Sequence, residues 1–451
     1  MARDTKALSR RDVLKTSGAA GAAGLAGLAG CSGVTGGGSS EYPALGNYPV
    51  EGSEVVYGFN VPQSGSYSQE GQDELRGYNL AKKHLNNGGG WVDSWNDLSG
   101  DGVLGKTVAS VTGDTATSPD TARQSAQRMI SRDNAIMITG GSSSAVAIAV
   151  QELCQQEKVQ FMACITHSNA TTGSECKRYG HREMFNAYMT GAALAPILKS
   201  EFGANKQFYQ LYADYTWGQS QQKSMKKFLT EAGWSQINSV PTPLGTSDYS
   251  SYLSDVPRDK TDVLILNHYG LDGANSLPQA IQAGLDNDME IVVPLYNRLM
   301  LKAASDSIGG VYGTVDWNWK LSDDASKSFV SAFQSEYNRV PSYAARIAYT
   351  QALQYSAAVE RAGTFYAPEV IRELEGYSYN EAGLGEELMR KCDHQAQRDV
   401  LVGRGLPTSE QTDKNLLEIV QRTPRDKVKY ACDAGPAANC SLGNYGDENS
   451  G

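Results

Sequence analysis

The chain has 451 residues, with 40 Lys plus Arg against 50 Asp plus Glu and a formal net charge of −10. That length allows two ordinary domains with proper cores, and the acidic balance argues against nucleic acid or an anionic membrane surface as a partner. None of the seven cysteines forms a Cys-x-x-Cys pair or joins a Cys/His cluster at zinc spacing, which argues against a structural zinc site.

The first forty residues, MARDTKALSRRDVLKTSGAAGAAGLAGLAGCSGVTGGGSS, cannot build a core, because most of their side chains are methyl groups or hydrogens. Arg10 and Arg11 sit in S-R-R-D-V-L-K, a positive region ending at Lys15. Thr16 to Gly30 is uncharged and mostly Ala, Gly and Leu, the length of a signal h-region and too short to span a bilayer. Two arginines before so mild an apolar run resemble a twin-arginine export signal. The run ends in L-A-G-C, which resembles a lipobox with Cys31 as the lipidated residue, and residues 32–52, opening with S-G-V-T-G-G-G-S-S, are expected to make a flexible tether. The mature protein is therefore expected outside the cytoplasm, anchored to the outer face of the cell membrane by lipid on Cys31. Residues 1–31 hold five basic and two acidic side chains, a net +3, so their removal takes the charge from −10 to about −13. No later stretch approaches eighteen consecutive apolar residues, and the body is expected to be soluble.

From residue 53 the hydrophobic period switches repeatedly. EVVYGFNVP reads as a strand, and GQDELRGYNLAKKHLNN as a helix with Leu75, Tyr78, Ala81 and Leu85 on one face. GKTVASVTGD is a strand and SPDTARQSAQRMISRD a helix, with Ser118 as N-cap and Pro119 at the first helical position. AIMITGG, SSSAVAIAVQELCQQE and VQFMACI continue the alternation. It restarts with GAALAPILKSEFG, KQFYQLYAD, GQSQQKSMKKFLTEAGW, TDVLILNHY, NSLPQAIQAGL, MEIVVPLY and GGVYGTVDWNWK, and two further helices follow. Strand–helix alternation of this kind predicts an α/β protein with parallel sheets. The restart divides it into two Rossmann-like lobes, with the chain crossing between them more than once. Two open sheets facing each other create a cleft at the carboxyl ends of their strands. SEQTDKNLLEIVQR is expected to hold a short helix, and the Gly/Asn-rich end to be a surface appendage that frays. Cys154, Cys164, Cys176 and Cys392, Cys432, Cys440 form two local groups; one bridge within each is expected, with the leftover pair as buried thiols.

Eight segments in order resemble the type 1 solute-binding proteins of ABC importers for branched-chain amino acids, amides and urea. They are VPQSGSYSQEGQDELRGYNLA, DTATSPDTARQSAQRMIS, GGSSSAVAIAV, CITHSNATTG, ADYTWGQS, PLGTSDYSSYL, NRVPSYAARIAYTQALQYSAAVERAGT and MRKCDHQAQRDVLVGRG. The resemblance implies the type 1 periplasmic binding protein fold, with two lobes joined by a multi-crossover hinge. It implies a first lobe over 53–183 plus about 318–395, a second over 184–317 plus about 396–430, and a tail over 431–451. It also implies a small-molecule solute, membrane permease subunits with cytoplasmic ATPases as partners, no cofactor, no metal and no catalysis. Matching the family's motifs residue by residue places ligand contacts at Ser142 and Ser143 in the serine turn, with Ser144 less suited to face the cleft. The same matching adds Ile165, Thr166, His167 and Ser168 in the next loop, and Tyr215, Trp217 and Tyr269 from the second lobe. A serine turn opening a helix suits this role physically, since the N-terminus offers unpaired N–H groups and a positive dipole end.

One departure stands out. Amino-acid binders of the family hold the ligand ammonium with an acidic residue after the next strand, where this chain reads V-V-P-L-Y-N-R and offers Leu295 or Tyr296. An ammonium in a dry cleft without a carboxylate would be costly, which shifts the expectation toward amides, urea-like molecules or other small polar solutes, with Asp272 or Asp316 as the residues that could compensate. A hydrolase reading fails for want of a G-x-S-x-G elbow. GDGVLGKT carries the letters of a P-loop, but a strand follows where a helix is required. Asp286 to Asp288 lack the glycine and glutamate of a calcium loop. The expected mechanism is domain closure over the solute and docking on a permease, and the alternative is a sensing subunit of the same fold acting through a membrane partner.

Overall fold

The apolar and β-branched run EVVYGFNV forms β1 (Glu54–Val61), buried along most of its length as a strand covered on both faces must be. The computed structural model describes residues 42–447, so Arg10, Arg11, Cys31 and residues 32–41 of the expected tether lie outside the described residues. The remainder of that expected tether is packed rather than free: Tyr42 stacks on Tyr366, and Asn47 Nδ2 donates to the Ile130 and Ala135 carbonyls at 2.9 Å. After β1 come α1 (Ser68–Asn87), β2 (Thr107–Asp114), α2 (Pro119–Ser131), β3 (Met137–Gly140), α3 (Ser144–Glu157), β4 (Gln160–Ala163) and β5 (Gly180–Arg182). These strands are all parallel, in the order β2-β1-β3-β4-β5. Ser118 caps α2 by accepting the Thr121 N–H, with Pro119 behind it.

The second lobe repeats the pattern. It runs through α4 (Ala187–Phe202), β6 (Gln207–Ala213), α5 (Thr216–Glu231), β7 (Ser235–Thr242), α6 (Ser250–Ser254), β8 (Val263–Asn267), α7 (Leu271–Gln282), β9 (Glu290–Leu295), α8 (Arg298–Ala303) and β10 (Tyr312–Val315). The chain then returns to the first lobe with α9 (Asp324–Tyr337), α10 (Tyr343–Ala362) and α11 (Ala367–Leu374), and with a small antiparallel sheet of β11 (Ser378–Tyr379), β12 (Glu387–Met389) and β13 (Ala396–Gln397). It crosses once more into β14 (Val400–Gly405) and β15 (Leu417–Thr423), followed by α12 (Arg425–Val428). The second sheet has the order β15-β14-β10-β9-β8-β6-β7, in which β7-β6-β8-β9-β10 are parallel and reproduce the first lobe's strand order. In each lobe the order reverses beside one strand, β1 in the first and β6 in the second. A crevice opens at the carboxyl ends there.

A buried ion cluster ties the three crossings together. Glu183 lies just after β5, Asp316 just after β10 and Arg398 between β13 and β14. Arg346 of α10 and Glu387 of β12 complete the group, and all five side chains are inaccessible to solvent. Arg398 Nη1 stands 2.9 and 3.0 Å from the two Glu183 carboxylate oxygens and 3.1 Å from Asp316, while Arg346 Nη2 is 2.7 Å from Glu387. Burial pushes the Glu183 carboxyl up, whereas the two guanidinium groups hold Glu387 below the usual carboxylate range.

Three expectations are corrected. LLEIVQR is not helical: it pairs antiparallel with β14 as the edge strand β15, where Ile419 and Val420 suit extended backbone and the open sheet edge supplies partners. Cys176 pairs with Cys440, joining the two cysteine groups rather than bridging within the first, because the tail folds back over the first lobe. Cys392–Cys432 does join within the second group, and Cys154 and Cys164 are buried thiols. Residues up to 447 do not fray: Arg178 donates to the Gly443 carbonyl at 2.9 Å, and Tyr179 donates to the Tyr445 carbonyl at 2.6 Å. No helix among the described residues is long and apolar enough to cross a membrane.

Candidate ligand-binding cleft

The first wall begins where β1 ends. The chain turns through Pro62 to Tyr67 and enters α1, whose first turn presents Glu70. Gly71 lies so close to β1's exit that a Cβ there would meet the Pro62 carbonyl oxygen at 1.8 Å, so only glycine lets the helix start at this distance. Glu70 is buried and lines the cavity. Burial first, then the nearby Asp73, pushes its carboxyl up to about 7, opposed by its own backbone N–H. Glu74, one turn on, is buried deeper and accepts the Ser142 hydroxyl at one carboxyl oxygen; burial raises its carboxyl well above the ordinary range.

β3 delivers the serine turn. Gly140 sits at φ +118°, where a Cβ would meet the Asn60 carbonyl oxygen at 2.1 Å, and Ser142 to Ser144 follow into α3. Ser143 occupies the N-cap position, yet its hydroxyl makes no capping bond, which leaves it and the helix N-terminus facing the cavity. Ser144 also lines the cavity, although its Oγ is used to shape the next loop by accepting the His167 and Ser168 N–H groups at 3.2 and 3.0 Å. In that loop Ile165 and His167 reach the cavity. Burial, aided by the Arg182 charge, pushes the His167 imidazole down to about 3, and its Nε2 bonds Thr190 Oγ1 at 2.8 Å rather than any serine. A neutral ring turned away from the serines cannot activate one as a nucleophile.

The second wall is aromatic. Tyr215 and Trp217 stand at the exit of β6 and Tyr269 at the exit of β8, with Leu295 at the end of β9. Their rings interlock with Tyr67 of the first lobe: centroids are 5.7 Å apart for Tyr67–Tyr269, 6.0 Å for Trp217–Tyr269 and 6.1 Å for Tyr215–Trp217. The Tyr67 and Tyr215 hydroxyls meet at 2.7 Å, closing one lobe on the other. Tyr269 Oη receives hydrogen bonds from Asn297 at 2.7 Å and Tyr343 at 2.6 Å. The Trp217 indole N–H is buried with no hydrogen-bond partner among the described residues. Together these residues enclose a cavity of ≈ 20 Å³, room for about one water, so a solute of several heavy atoms enters only when the lobes part.

Residues 54–409 match the family model described as periplasmic binding protein. The chain belongs to the periplasmic binding protein family. Residues 7–27 match the twin-arginine translocation signal, so the protein carries an export signal that includes Arg10 and Arg11. Among relatives, Leu/Ile/Val-binding protein homolog 4 of Brucella melitensis biotype 1 is 22% identical over 282 residues, spanning 60% of this chain and 67% of that protein. A periplasmic binding protein from Burkholderia mallei superposes with a TM-score of 0.77 at 20% identity, over 86% of this chain and all of that one. An ABC-transporter solute-binding protein from Rhodopseudomonas palustris, solved with 3,4-dihydroxybenzoic acid, superposes at 0.71 with 19% identity, over 83% and 97%. These likenesses establish the type 1 fold, two α/β lobes, and a binding protein rather than an enzyme.

Within this periplasmic binding protein, Ser142, Ser143, Ile165, His167, Tyr215, Trp217 and Tyr269 come together around one cavity, and Thr166, Ser168 and Tyr296 do not reach it. Thr166 turns inward to Ser144 and Thr171. Ser168 is taken by the Thr216 carbonyl and Ser220 across the lobe boundary. Tyr296 gives its hydroxyl to the Val311 carbonyl, because adjacent residues at a strand end face opposite ways and Leu295 takes the cleft side. Neither aspartate considered as a substitute acid lines the cavity. Asp272 accepts the Gly245 N–H at 3.0 Å, and Asp316 belongs to the hinge cluster. The acid at the cavity is Glu70, which with Tyr67 the sequence pattern alone does not single out in Y-S-Q-E-G; a glutamate directly before a helix-start glycine is the available signal. GDGVLGKT forms a turn closed by a Val103–Lys106 bridge and leads into β2, with no helix for a phosphate to meet.

Proposed function

We propose that the protein is the substrate-binding lipoprotein of an ABC importer, capturing a small polar solute between its lobes and delivering it to a permease. The observation that carries this reading is the convergence of both lobes' strand-order reversals on one cavity, with serines and Glu70 from the first lobe and three aromatic rings from the second. Solute enters with the lobes apart, meets the Ser143 hydroxyl and the α3 N-terminus, and is covered as Tyr215, Trp217 and Tyr269 swing in. The relatives favour a solute-carrier role but not one ligand: one is named for Leu/Ile/Val, and a fold neighbour holds a dihydroxybenzoate. Cys31 carries the lipid, and S-G-V-T-G-G-G-S-S gives the lobes the slack to find the permease. Thermal shifts against amino acids, amides, urea and small carboxylates test capture; no shift with any solute would sink it. The anchor is tested by Cys31→Ser, which should move the protein from the membrane fraction into the medium or extracytoplasmic space.

A further inference from the structure

Glu70 is 3% exposed and lines the cavity, and among the described residues it forms no ion pair with a basic side chain; what bears on its charge is burial, its own N–H and Asp73. Among the described residues, no Lys or Arg lines the cavity. Four aromatic rings, Tyr67, Tyr215, Trp217 and Tyr269, stand around the same space with neighbouring centroids 5.7 to 6.1 Å apart and tilted or edge-on rather than stacked. Ring faces present negative quadrupole potential, and tryptophan does so most strongly; several of them around one site are the arrangement that recognises ammonium and quaternary ammonium groups. A buried carboxylate with no cation beside it is expensive, and it favours whatever positive group, a proton or a solute cation, arrives next to it.

Resting on the solute-capture reading above, we propose that the captured solute carries a cationic nitrogen, an ammonium or alkylammonium head, boxed by these four rings with Glu70 as its counter-charge. The acid that the sequence lacks after β9 is thus supplied from the opposite wall, by the first turn of α1. The Ser143 hydroxyl and the α3 N-terminus lie across the same cavity and take whatever acceptor the solute carries beyond its head.

The probes are charged and neutral isosteres: choline and glycine betaine against 3,3-dimethylbutanol, with urea and acetamide as further neutral solutes, measured by calorimetry on the wild-type protein and on Glu70→Gln. The wild type should bind at least one ammonium probe about tenfold or more tighter than the neutral isostere, and Glu70→Gln should lose about tenfold to a hundredfold on that probe while retaining a cooperative melt. Trp217→Phe should weaken the same probe by a smaller factor. Neutral solutes that bind the wild type and Glu70→Gln alike, with ammonium probes no better, would overturn this inference and leave solute capture standing. Silence from every probe here, with a thermal shift from a neutral or anionic member of the wider solute screen, would overturn this inference alone; silence from that whole screen as well would remove solute capture too.

Discussion

The two walls of the cleft are built on the same strand order and carry opposite chemistry. In the first lobe the loops leaving β1, β3 and β4 present every carboxyl, serine and imidazole group at the cavity, among them Glu70, Ser142, Ser143 and His167, with Tyr67 and Ile165 beside them; in the second, the loops leaving β6, β8 and β9 present only Tyr, Trp and aliphatic side chains, Tyr215, Trp217, Tyr269 and Leu295. Topology therefore decides where a side chain stands, while the turn sequence decides what it offers. A polar wall can orient a solute in the open state, when water still competes. An aromatic wall contributes most once the cleft is dry, so the wall that moves is the one that gains from closure.

Both walls depend on the crossings that bring them face to face, and breaking these carries the largest expected effect. Arg346 holds Glu183 and Glu387 and donates to the Ala382 carbonyl, all out of contact with water. Arg346→Met leaves an excess of buried carboxylate and should cost about 3–5 kcal/mol in urea unfolding. A loss below about 1 kcal/mol would mean that the cluster does not hold the crossings.

The next effect separates the walls by pH. Glu70 is raised from its ordinary 4.5 to about 7 in the folded protein, so the native state binds this proton more tightly than the unfolded chain. Its contribution is fully present below pH 4.5 and is lost as pH rises toward about 7, a span worth about 3 kcal/mol by linkage. The groups that face it are Asp73, Glu74, Tyr67, Tyr269 and Tyr343. The tyrosines stay neutral throughout that window, and Glu74 changes stability in the same direction. Unfolding free energies of the wild type minus those of Glu70→Gln, taken from pH 4.5 to 8, should fall as pH rises; a flat difference would show that the carboxyl is not buried in this way.

The contrast between the walls also explains what could be read without coordinates. Strand–helix alternation and the restart after β5 are periodic signals, and the serine turn, Trp217 and Tyr269 follow strand ends that the alternation already marks. Glu70 escaped because an acid in the first turn of a helix ordinarily faces solvent beside the helix dipole; only the approach of Gly71 to Pro62 shows that this turn is tucked against β1. Tyr296 is expected at the cleft but turns away from the cavity, because side-chain parity at a strand end changes with a one-residue shift. Cys176 and Cys440 are 264 residues apart, and no local spacing reports such a pair. LLEIVQR reads as helix in isolation and became β15 because β14 offered an unpaired edge.

The smallest effect lies at the seam between the walls, where one of several interlobe hydrogen bonds, Tyr67 Oη to Tyr215 Oη at 2.7 Å, joins two cavity-lining rings. Burial raises both phenols, so each remains neutral and the bond persists across the physiological pH range. Tyr215→Phe keeps the ring and leaves the Tyr67 hydroxyl without its partner, at a cost of about 1 kcal/mol that falls only on the closed form. The balance of closed to open molecules without solute should move about fivefold toward open. Small-angle scattering or a fluorescence distance between the lobes would register this as an expanded solute-free protein, with a melting temperature close to that of the wild type. Ser143→Ala is the matched change on the other wall. Because that hydroxyl makes no capping bond, it should alter neither the closed fraction nor the melting temperature and should weaken only solute binding. If Ser143→Ala opened the lobes as Tyr215→Phe does, closure would depend on the polar wall too, and the division of labour between the walls would fail.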